Sequence, residues 1–508
     1  MNNWLVLPLL VPLCTAVLLV LVKNQIQLQR VISVISALLN IGVAAYMLYQ
    51  VKTEGIQTLY MSGWVPPYGI VFVADMLAAL LVLTTTIIGL FCLLFSFRSI
   101  GEERERYYYY PLLQFLIVGV CGSFLTGDIF NLFVCFEVML ISSYALIVLG
   151  GTKLQLRESI KYMLINILSS ALFVAAVAYL YGVTGALNMA DLSVRVAEAG
   201  QGGVLNAIAI LFLVVFALKA GLFLFFWLPG SYGAPPTPIA AIFAALLTKV
   251  GLYALLRTFT LIFYHDQAVT HSWIGWMAGA TMALGAFGAL AYRDVPRILN
   301  YNVIISVGFI AFGLAAATND SLDGAVFYLL HDMLAKALLF LLGGMMITAA
   351  GTKELSGMGG LIRKHPYMGW MFFVTGLAIA GIPPLSGFAG KLMIVRGGLE
   401  DGQYALAALS LASSFIVLYS LVRLFMAAFW GEARSSSLEG AARSRLPLDA
   451  AERRQAGMSL RLQLLPAAGL LVLVIAMGLG AEWIYGFVRE AGDTLTQPSL
   501  YIDAVLKE

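Results

Sequence analysis

Charged side chains are scarce in this sequence. Only 11% of its 508 residues are Asp, Glu, Lys or Arg, whereas 61% are hydrophobic. A water-soluble domain normally carries about 25% charged residues, so this composition excludes an ordinary water-soluble surface. The net charge of +3 is also too small to indicate a nucleic-acid-binding surface. We therefore expect lipid and other membrane helices as partners, and no nucleic acid.

Cysteine and the common cofactor motifs are equally scarce. The four cysteines lie in apolar runs, with neither C-x-x-C nor zinc-ligand spacing; they are Cys14, Cys92, Cys121 and Cys135. The sequence has no Walker A motif, no G-x-G-x-x-G and no H-E-x-x-H, and no cysteine set for an iron–sulfur cluster. We expect no cofactor in this chain, and the residues leave open whether it binds a metal ion.

Long apolar runs are abundant. A window of about 19 residues finds about fourteen of them, each far longer than the roughly ten residues of a barrel strand. Because unpaired backbone groups cannot face hydrocarbon, the runs must be helices. They begin near Trp4, Val31, Val71, Pro111, Ile129, Ser159, Val204, Pro238, Trp273, Ile298, Leu322, Tyr367, Tyr404 and Leu464. The predicted fold is an all-α membrane protein with about fourteen transmembrane helices.

Lys and Arg collect in every second loop of this arrangement. The loops after odd-numbered spans hold most of them, while only Lys52, Arg195, Arg257 and Arg396 follow even-numbered spans. Since Lys and Arg concentrate in cytoplasmic loops, we expect a multi-pass protein with both termini outside. The stretch from Glu432 to Arg461 is long and charged enough to be a cytoplasmic linker before the last span.

Two spans contain prolines and glycines that interrupt a helix. The seventh runs into Trp227-Leu-Pro-Gly-Ser-Tyr-Gly-Ala-Pro-Pro, and the twelfth passes through Gly381-Ile-Pro-Pro-Leu-Ser-Gly. Breaks at corresponding places of two halves are typical of transporter repeats. Residues 111–264 and 265–431 would then be two inverted five-helix repeats, preceded by three helices in 1–110 and followed by 432–508. Alternatively, both Pro-Pro pairs merely end helices in loops.

Several ionisable residues are predicted to lie deep inside the spans. Glu137 is eight residues into the fifth span, about 12 Å from its end at 1.5 Å per residue. The others are Lys219, Lys249, His331, Asp332, Lys336 and Lys391. A charge at a helix centre costs at least about 2.5 kcal/mol, so such residues usually mark an ion or proton path. A charged lysine has no free lone pair to bind Na⁺ but can carry a proton.

Interhelical salt bridging is the structural alternative for most of these residues. For His331 the alternative is a hydrogen bond to a backbone carbonyl, and for Asp332 a structural partnership with His331 or Lys336; both alternatives explain the residues nearly as well as an ion path does. By contrast, Asp75 and Arg423 lie near span ends, where we expect their side chains to reach the membrane interface.

Four segments around these charges resemble a known family: TGDIFNLFVCFEVML from Thr126, FALKAGL from Phe216, LTKVGLY from Leu247 and AGIPPLSGF from Ala380. They are similar to the antiporter-like subunits shared by respiratory complex I and the Mrp cation/proton antiporters, and the resemblance covers essentially the whole chain. It implies a proton-translocating subunit of a multisubunit Na⁺(Li⁺)/H⁺ antiporter, driven by proton motive force in a bacterial plasma membrane. Such a chain would be a secondary transporter subunit and not an enzyme, assembled with other Mrp subunits.

The resemblance also implies roles for single residues. Glu137 and Lys219 match an interacting pair, which we expect to form an ion pair. The other matches are Lys249 as the central lysine, Lys391 as the second-repeat lysine, and His331 and Lys336 as polar positions that link the repeats. The alternative function is that of a proton-pumping membrane-arm subunit of a complex I-like NADH:quinone oxidoreductase, which would use the same residues.

Overall fold

The computed structural model describes residues 2–431 and 450–506 of the chain. Within them, twelve helices are long and apolar enough to cross a membrane. Two shorter apolar helices, Tyr109–Leu125 and Pro366–Ala380, bring the total to fourteen. The prediction of an all-α membrane protein with about fourteen spans is therefore confirmed.

The N-terminal region contains three spans and a small hairpin. Its elements are α1 (Leu7–Leu21), α2 (Ile26–Glu54), β1 (Gln57–Tyr60), β2 (Val71–Ala74), α3 (Met76–Ser96) and α4 (Glu102–Glu105). The third span was expected to begin near Val71, but Val71–Ala74 pairs with β1 as an antiparallel strand. The helix begins after it because the Asp75 carboxylate caps α3, accepting from the Ala78 amide at 2.9 Å.

The next region holds the fourth to eighth spans. Its helices are α5 (Tyr109–Leu125), α6 (Ile129–Ile147), α7 (Lys153–Thr184), α8 (Met189–Ala199), α9 (Gly203–Ala220), α10 (Leu228–Ser231), α11 (Thr237–Ile242) and α12 (Thr248–Leu261). A π-helical turn, Phe243–Leu247, joins α11 to α12. The short helix α8 was not predicted, because it is too short and too polar to give a membrane-span signal.

The remaining spans follow in α13 to α20. The helices are α13 (Gln267–Ala291), α14 (Val295–Ala316), α15 (Asn319–Ala350), α16 (Leu361–Lys364), α17 (Pro366–Ala380), α18 (Ser386–Glu400), α19 (Tyr404–Phe429), α20 (Ala450–Leu479), α21 (Ala481–Thr496) and α22 (Pro498–Leu506). Short 3₁₀ turns occupy Asn3–Val6, Met61–Gly63 and Leu355–Gly357. Of the predicted Glu432–Arg461 linker, residues 432–449 lie outside the described residues, and the chain is helical from Ala450 onward.

Two spans are interrupted, as the prolines and glycines predicted. The seventh span stops at Ala220 and resumes as α10 at Leu228, so its break begins before the predicted Trp227 segment. The twelfth stops at Ala380 and resumes at Ser386. In both spans the break lies in the fourth helix of a set of five.

The described termini lie at one end of the bundle, which we call the termini face. The Tyr60 hydroxyl donates to the Val505 carbonyl there (3.4 Å), and Thr126, at the end of α5, forms a β-bridge with Phe72. The other end, called the basic face, holds Arg98, whose carbonyl accepts from Gln463 at 2.8 Å. A chain that crosses the membrane an even number of times has both of its ends on the same face, which agrees with the count of fourteen spans.

The two five-helix sets run in opposite directions. The helix α5 ends on the termini face. The helix α13 begins there, because Ser193 of α8 donates to the Leu261 carbonyl at the end of α12 (2.6 Å) and α8 packs against the C-terminal helix α22. Opposite direction with the same helix order is the arrangement of inverted repeats.

Candidate ion-translocation site

The first cluster joins three helices through one serine. The Ser170 hydroxyl on α7 donates to Glu137 on α6, and the Lys219 ammonium on α9 donates to the same hydroxyl at 2.8 Å. Lys219 is 4% exposed, and its Nζ lies 5.6 Å from the centre of the Phe136 ring. Among the described residues, Glu137 and Lys219 make no direct ion pair within 4.0 Å. The two charged groups are therefore not in direct contact, and the Ser170 hydroxyl connects them.

The position of Lys219 follows from the interruption of its helix. It lies in the last turn of α9, where the helix carbonyls without intrahelical partners give a partial negative charge. A cation at this end is favoured by about 0.3–1 kcal/mol, and more where it is partly buried. The break in the helix thus helps to stabilise the Lys219 charge at a depth where a charged group in hydrocarbon would be costly.

The second cluster places one carboxylate between two ammonium groups. Asp332 Oδ2 lies 2.7 Å from Lys249 Nζ, and Asp332 Oδ1 lies 3.5 Å from Lys336 Nζ. All three side chains are fully buried. Asp332 and Lys336 are four residues apart on α15 and so share a helix face. With every group ionised, the cluster keeps one uncompensated positive charge.

Backbone carbonyls complete the bonding of both lysines. Lys249 donates to the Ala244 carbonyl at 2.8 Å, and Ala244 belongs to the π-helical turn. A π turn shifts the hydrogen-bonding register by one residue, and such turns often occur at functional sites. Lys336 donates to the Asn302 carbonyl on α14 at 2.9 Å.

The third cluster surrounds the break in the twelfth span. His331 Nδ1 lies 2.7 Å from the Ser386 hydroxyl, while its Nε2 is buried with no hydrogen-bond partner in the described part of the chain. Lys391 donates to the Ala380 carbonyl at 3.1 Å and to Ser414 at 3.0 Å. Ala380 is the last residue of α17, so Lys391 also sits at the negative end of a broken helix.

Close helix packing brings the three clusters into one buried row. A Cβ on Gly251 would lie 2.5 Å from the Ala220 amide nitrogen, so α12 and α9 touch within two residues of their lysines. His331 and Asp332 are consecutive on α15 and connect the second cluster to the third. The row therefore crosses the middle of the protein, and it includes all six residues predicted as site residues together with Asp332.

Sequence reasoning missed the neutral members of this row. They are Ser170, Asn302, Ser386 and Ser414. Serine and asparagine occur throughout membrane helices, where they bond to neighbouring carbonyls, so no local signal distinguishes these four. The described residues contain no group of three or more His, Cys, Asp or Glu side chains that could hold a metal ion.

A further ion pair lies outside the row. Asp75 is fully buried and binds Arg257 at 2.5 Å, and the Tyr501 ring centre lies 4.8 Å from that guanidinium. The expectation that the Asp75 side chain reaches the membrane interface is wrong, because this side chain is buried within the bundle and is paired there with Arg257 of α12. Arg423 instead donates to carbonyls at the end of α13, between Ala289 and Tyr292.

Comparison with known proteins gives a consistent result. Residues 126–417, which contain all six site residues, match the family described as NADH:quinone oxidoreductase/Mrp antiporter, TM. The chain is 52% identical to an Na(+)/H(+) antiporter subunit of Bacillus subtilis (strain 168), with 100% of both chains covered.

Solved structures give the same family of folds. A chain in the structure of the Mrp complex from Dietzia sp. DQ12-45-1b superimposes with a TM-score of 0.90 at 29% identity, covering 100% of each chain. A chain of respiratory complex I from Thermus thermophilus gives a TM-score of 0.77 at 24% identity, covering 97% of this chain and 99% of that one. At that identity the second likeness is one of fold alone.

Proposed function

This chain belongs to the NADH:quinone oxidoreductase/Mrp antiporter family, and on that premise we propose that it is the proton-translocating subunit of a multisubunit Na⁺(Li⁺)/H⁺ antiporter driven by proton motive force. The observation that carries the proposal is the row from Glu137 through Lys219 and Lys249 to Lys391. The complex I-like alternative is supported only by a likeness of fold, whereas the similarity to the Bacillus subtilis antiporter chain extends over the whole length.

The second cluster supplies the physical reason for proton movement. Two buried lysines share Asp332, so one positive charge is in excess, and a buried unpaired charge is costly. Loss of a proton from either lysine removes that excess. A charge approaching from Lys219 or Lys391 changes which lysine holds its proton, because like charges disfavour the protonated form. Protons thus move along the row because each lysine is repelled by a neighbouring ammonium group and stabilised by a neighbouring carboxylate.

The first cluster acts as the switch at one end of the row. While Ser170 links Glu137 to Lys219, the ammonium is stabilised by a hydrogen bond and a nearby carboxylate. When that link opens, desolvation favours neutral Lys219, which releases its proton toward Lys249. We assign residues 111–264 and 265–431 as the two halves that alternate in this exchange.

Na⁺ is proposed to pass through another subunit. Na⁺ needs oxygen ligands, and the row offers mainly ammonium groups, which donate hydrogen bonds but cannot accept them. Glu137 is only partly buried although it lies at mid-helix, and a charge facing lipid is expensive. Both features support assembly with other antiporter subunits, one of which covers Glu137 in a bacterial plasma membrane.

The mechanism is tested by replacing Lys219 with arginine in the assembled complex. Arginine keeps the charge but does not release a proton at physiological pH, so Lys219→Arg should abolish Na⁺-driven proton movement in everted vesicles. Lys153→Arg, an exposed lysine at the start of α7, is the matched control and should retain the wild-type rate. A Lys219→Arg complex that is fully assembled and exchanges ions at the wild-type rate would exclude the switch.

Orientation needs a separate test. We propose that both termini face outside, so Glu54→Cys should react with an impermeant maleimide in intact cells, whereas Lys153→Cys should react only after permeabilisation. Both positions are exposed. Reaction in the reverse order would show that the basic face is external.

A further inference from the structure

Polar residues occupy every fourth position on the inner face of α7. Glu158, Tyr162, Asn166 and Ser170 are 7%, 1%, 3% and 8% exposed. Residues four apart lie on one helix face, and twelve residues span about 18 Å at 1.5 Å each. The outer face of the same segment is apolar and exposed, with Ile160, Leu164, Ile167 and Leu168. A buried polar face therefore leads from the basic face to the serine that joins Glu137 and Lys219.

Hydroxyl groups lie along and beside this face, and two of them are able to bind water. The Tyr162 hydroxyl lies 3.0 Å from the Ser143 hydroxyl, and Asn166 donates to the Tyr162 carbonyl at 2.8 Å. The nearby hydroxyls of Tyr144 and Tyr232 are buried with no hydrogen-bond partner in the described part of the chain. Buried polar groups are nearly always bonded to protein or ordered water. Each of these two hydroxyls is therefore able to bond to a water molecule.

Aromatic contacts place both unpartnered hydroxyls beside the polar face. The Tyr144 ring centre lies 5.5 Å from that of Tyr162. Trp227 stands between Tyr162 and Tyr232, with ring-centre distances of 5.4 and 5.7 Å. The three tyrosines thus line one region between α6, α7 and α10.

Glu158 forms the outer end of this face. Its carboxylate accepts from Lys161 at 3.1 Å and lies 3.8 Å from Arg157 Nε, and both of these cations are exposed while Glu158 is buried. A Cβ at Gly230 would overlap Glu158 Oε2, so the carboxylate lies directly against α10. The helix α10 is the resumed part of the span that carries Lys219. A buried carboxylate that pairs with an exposed lysine and touches the broken span lies between the solvent on the basic face and the interior of the bundle.

We propose that Glu158 is the proton-exchange group of this chain on the basic face, and that the polar face of α7 conducts protons between it and Ser170. The inference rests on the proposed function. In each step a water or hydroxyl oxygen accepts one proton and releases another to the next oxygen, so no group along the face changes its net charge. The proton that leaves Glu158 restores its carboxylate, and the proton that arrives at the row is taken up by Glu137 or by neutral Lys219.

The experiment measures initial rates of Na⁺-driven proton movement in everted vesicles that contain the whole complex, at pH values from about 6 to 9. Glu158→Gln should lower the rate at least tenfold, whereas Glu158→Asp keeps a carboxylate and should retain measurable activity. Glu103→Gln, at an exposed carboxylate on the same face, is the control and should leave the rate unchanged. Blue native gels report assembly.

Asn166→Leu keeps the Glu158 ion pair and interrupts the polar face of α7 at its middle. If the Glu158→Gln complex fails to assemble, this second variant still tests whether the face conducts protons. It should lower the rate at least tenfold. Wild-type rates in assembled Glu158→Gln or Asn166→Leu complexes would overturn the inference. Equal losses for Glu158→Asp and Glu158→Gln at every pH would likewise overturn it, since they indicate a structural carboxylate. An active Lys219→Arg complex would instead refute the proposed function itself.

Discussion

Replacing Ser170 by alanine removes the hydroxyl that contacts both Glu137 and Lys219. The two charged groups remain, but each loses a hydrogen bond. A hydrogen bond to a charged group contributes about 1.5–3 kcal/mol net. If one such bond is lost from the arrangement that passes the proton, the barrier rises by that amount, and about 1.4 kcal/mol corresponds to tenfold in rate. Ser170→Ala should therefore slow antiport by about tenfold to a hundredfold.

The neighbouring serine provides a matched control. Ser169 donates to the Val215 carbonyl at 3.3 Å, a neutral bond between the same two helices, α7 and α9. Its loss costs about 0.5–1.5 kcal/mol of stability and leaves the link between Glu137 and Lys219 intact. Ser169→Ala should thus keep an antiport rate close to that of the wild type, with at most a small decrease in melting temperature.

The assay compares both variants in everted vesicles, with the rate of Na⁺-induced proton movement normalised to the amount of assembled complex. Ser170→Thr retains a hydroxyl and should preserve more activity than Ser170→Ala. A Ser170→Ala complex that matches Ser169→Ala in rate would refute the reasoning, because the serine would then only fill space between the helices.

Two further predictions concern the buried carboxylates. Asp332→Asn leaves Lys249 without a counter-ion at a cost of about 3–5 kcal/mol, so it should lower both the melting temperature of the complex and its antiport rate; unchanged values for both would show that Asp332 is not the shared counter-ion. Asp75→Asn removes the partner of Arg257 at a comparable cost but lies outside the row, so thermal stability should fall while the rate per assembled complex stays near that of the wild type; loss of antiport without loss of stability would contradict this assignment.

The spans were predictable because a membrane helix satisfies its own backbone. Each apolar run must form its backbone hydrogen bonds internally whatever its neighbours are, so hydropathy identified about fourteen spans, and the prolines and glycines indicated the two that are interrupted. The error at Val71 has a different cause. The strand there pairs with Gln57–Tyr60, eleven or more residues away, and a hydropathy window does not register pairing between segments.

The charged members of the row could also be selected from the sequence, because a lysine or glutamate at mid-span is costly and usually marks an ion or proton path. This argument selected Glu137, Lys219 and Lys249 without any knowledge of their partners. The same argument failed for Asp75: because this residue lies near a span end, its side chain was expected at the membrane interface and not in a buried ion pair. Only the tertiary structure brings Arg257 of α12 to Asp75.

The sequence by itself determined that the chain lies in a membrane, how many spans it has and that residues such as Lys219 and Lys249 are buried, since these depend on the cost of exposing polar atoms to lipid, which is a property of each segment alone. Tertiary structure decided which groups meet. Whether Lys219 binds Glu137 directly or through Ser170 depends on where α6, α7 and α9 come together, and differences of a few ångströms between helices leave no trace in hydropathy. The neutral serines could be recognised as members of the row only from the helix packing, which places them beside the charged groups.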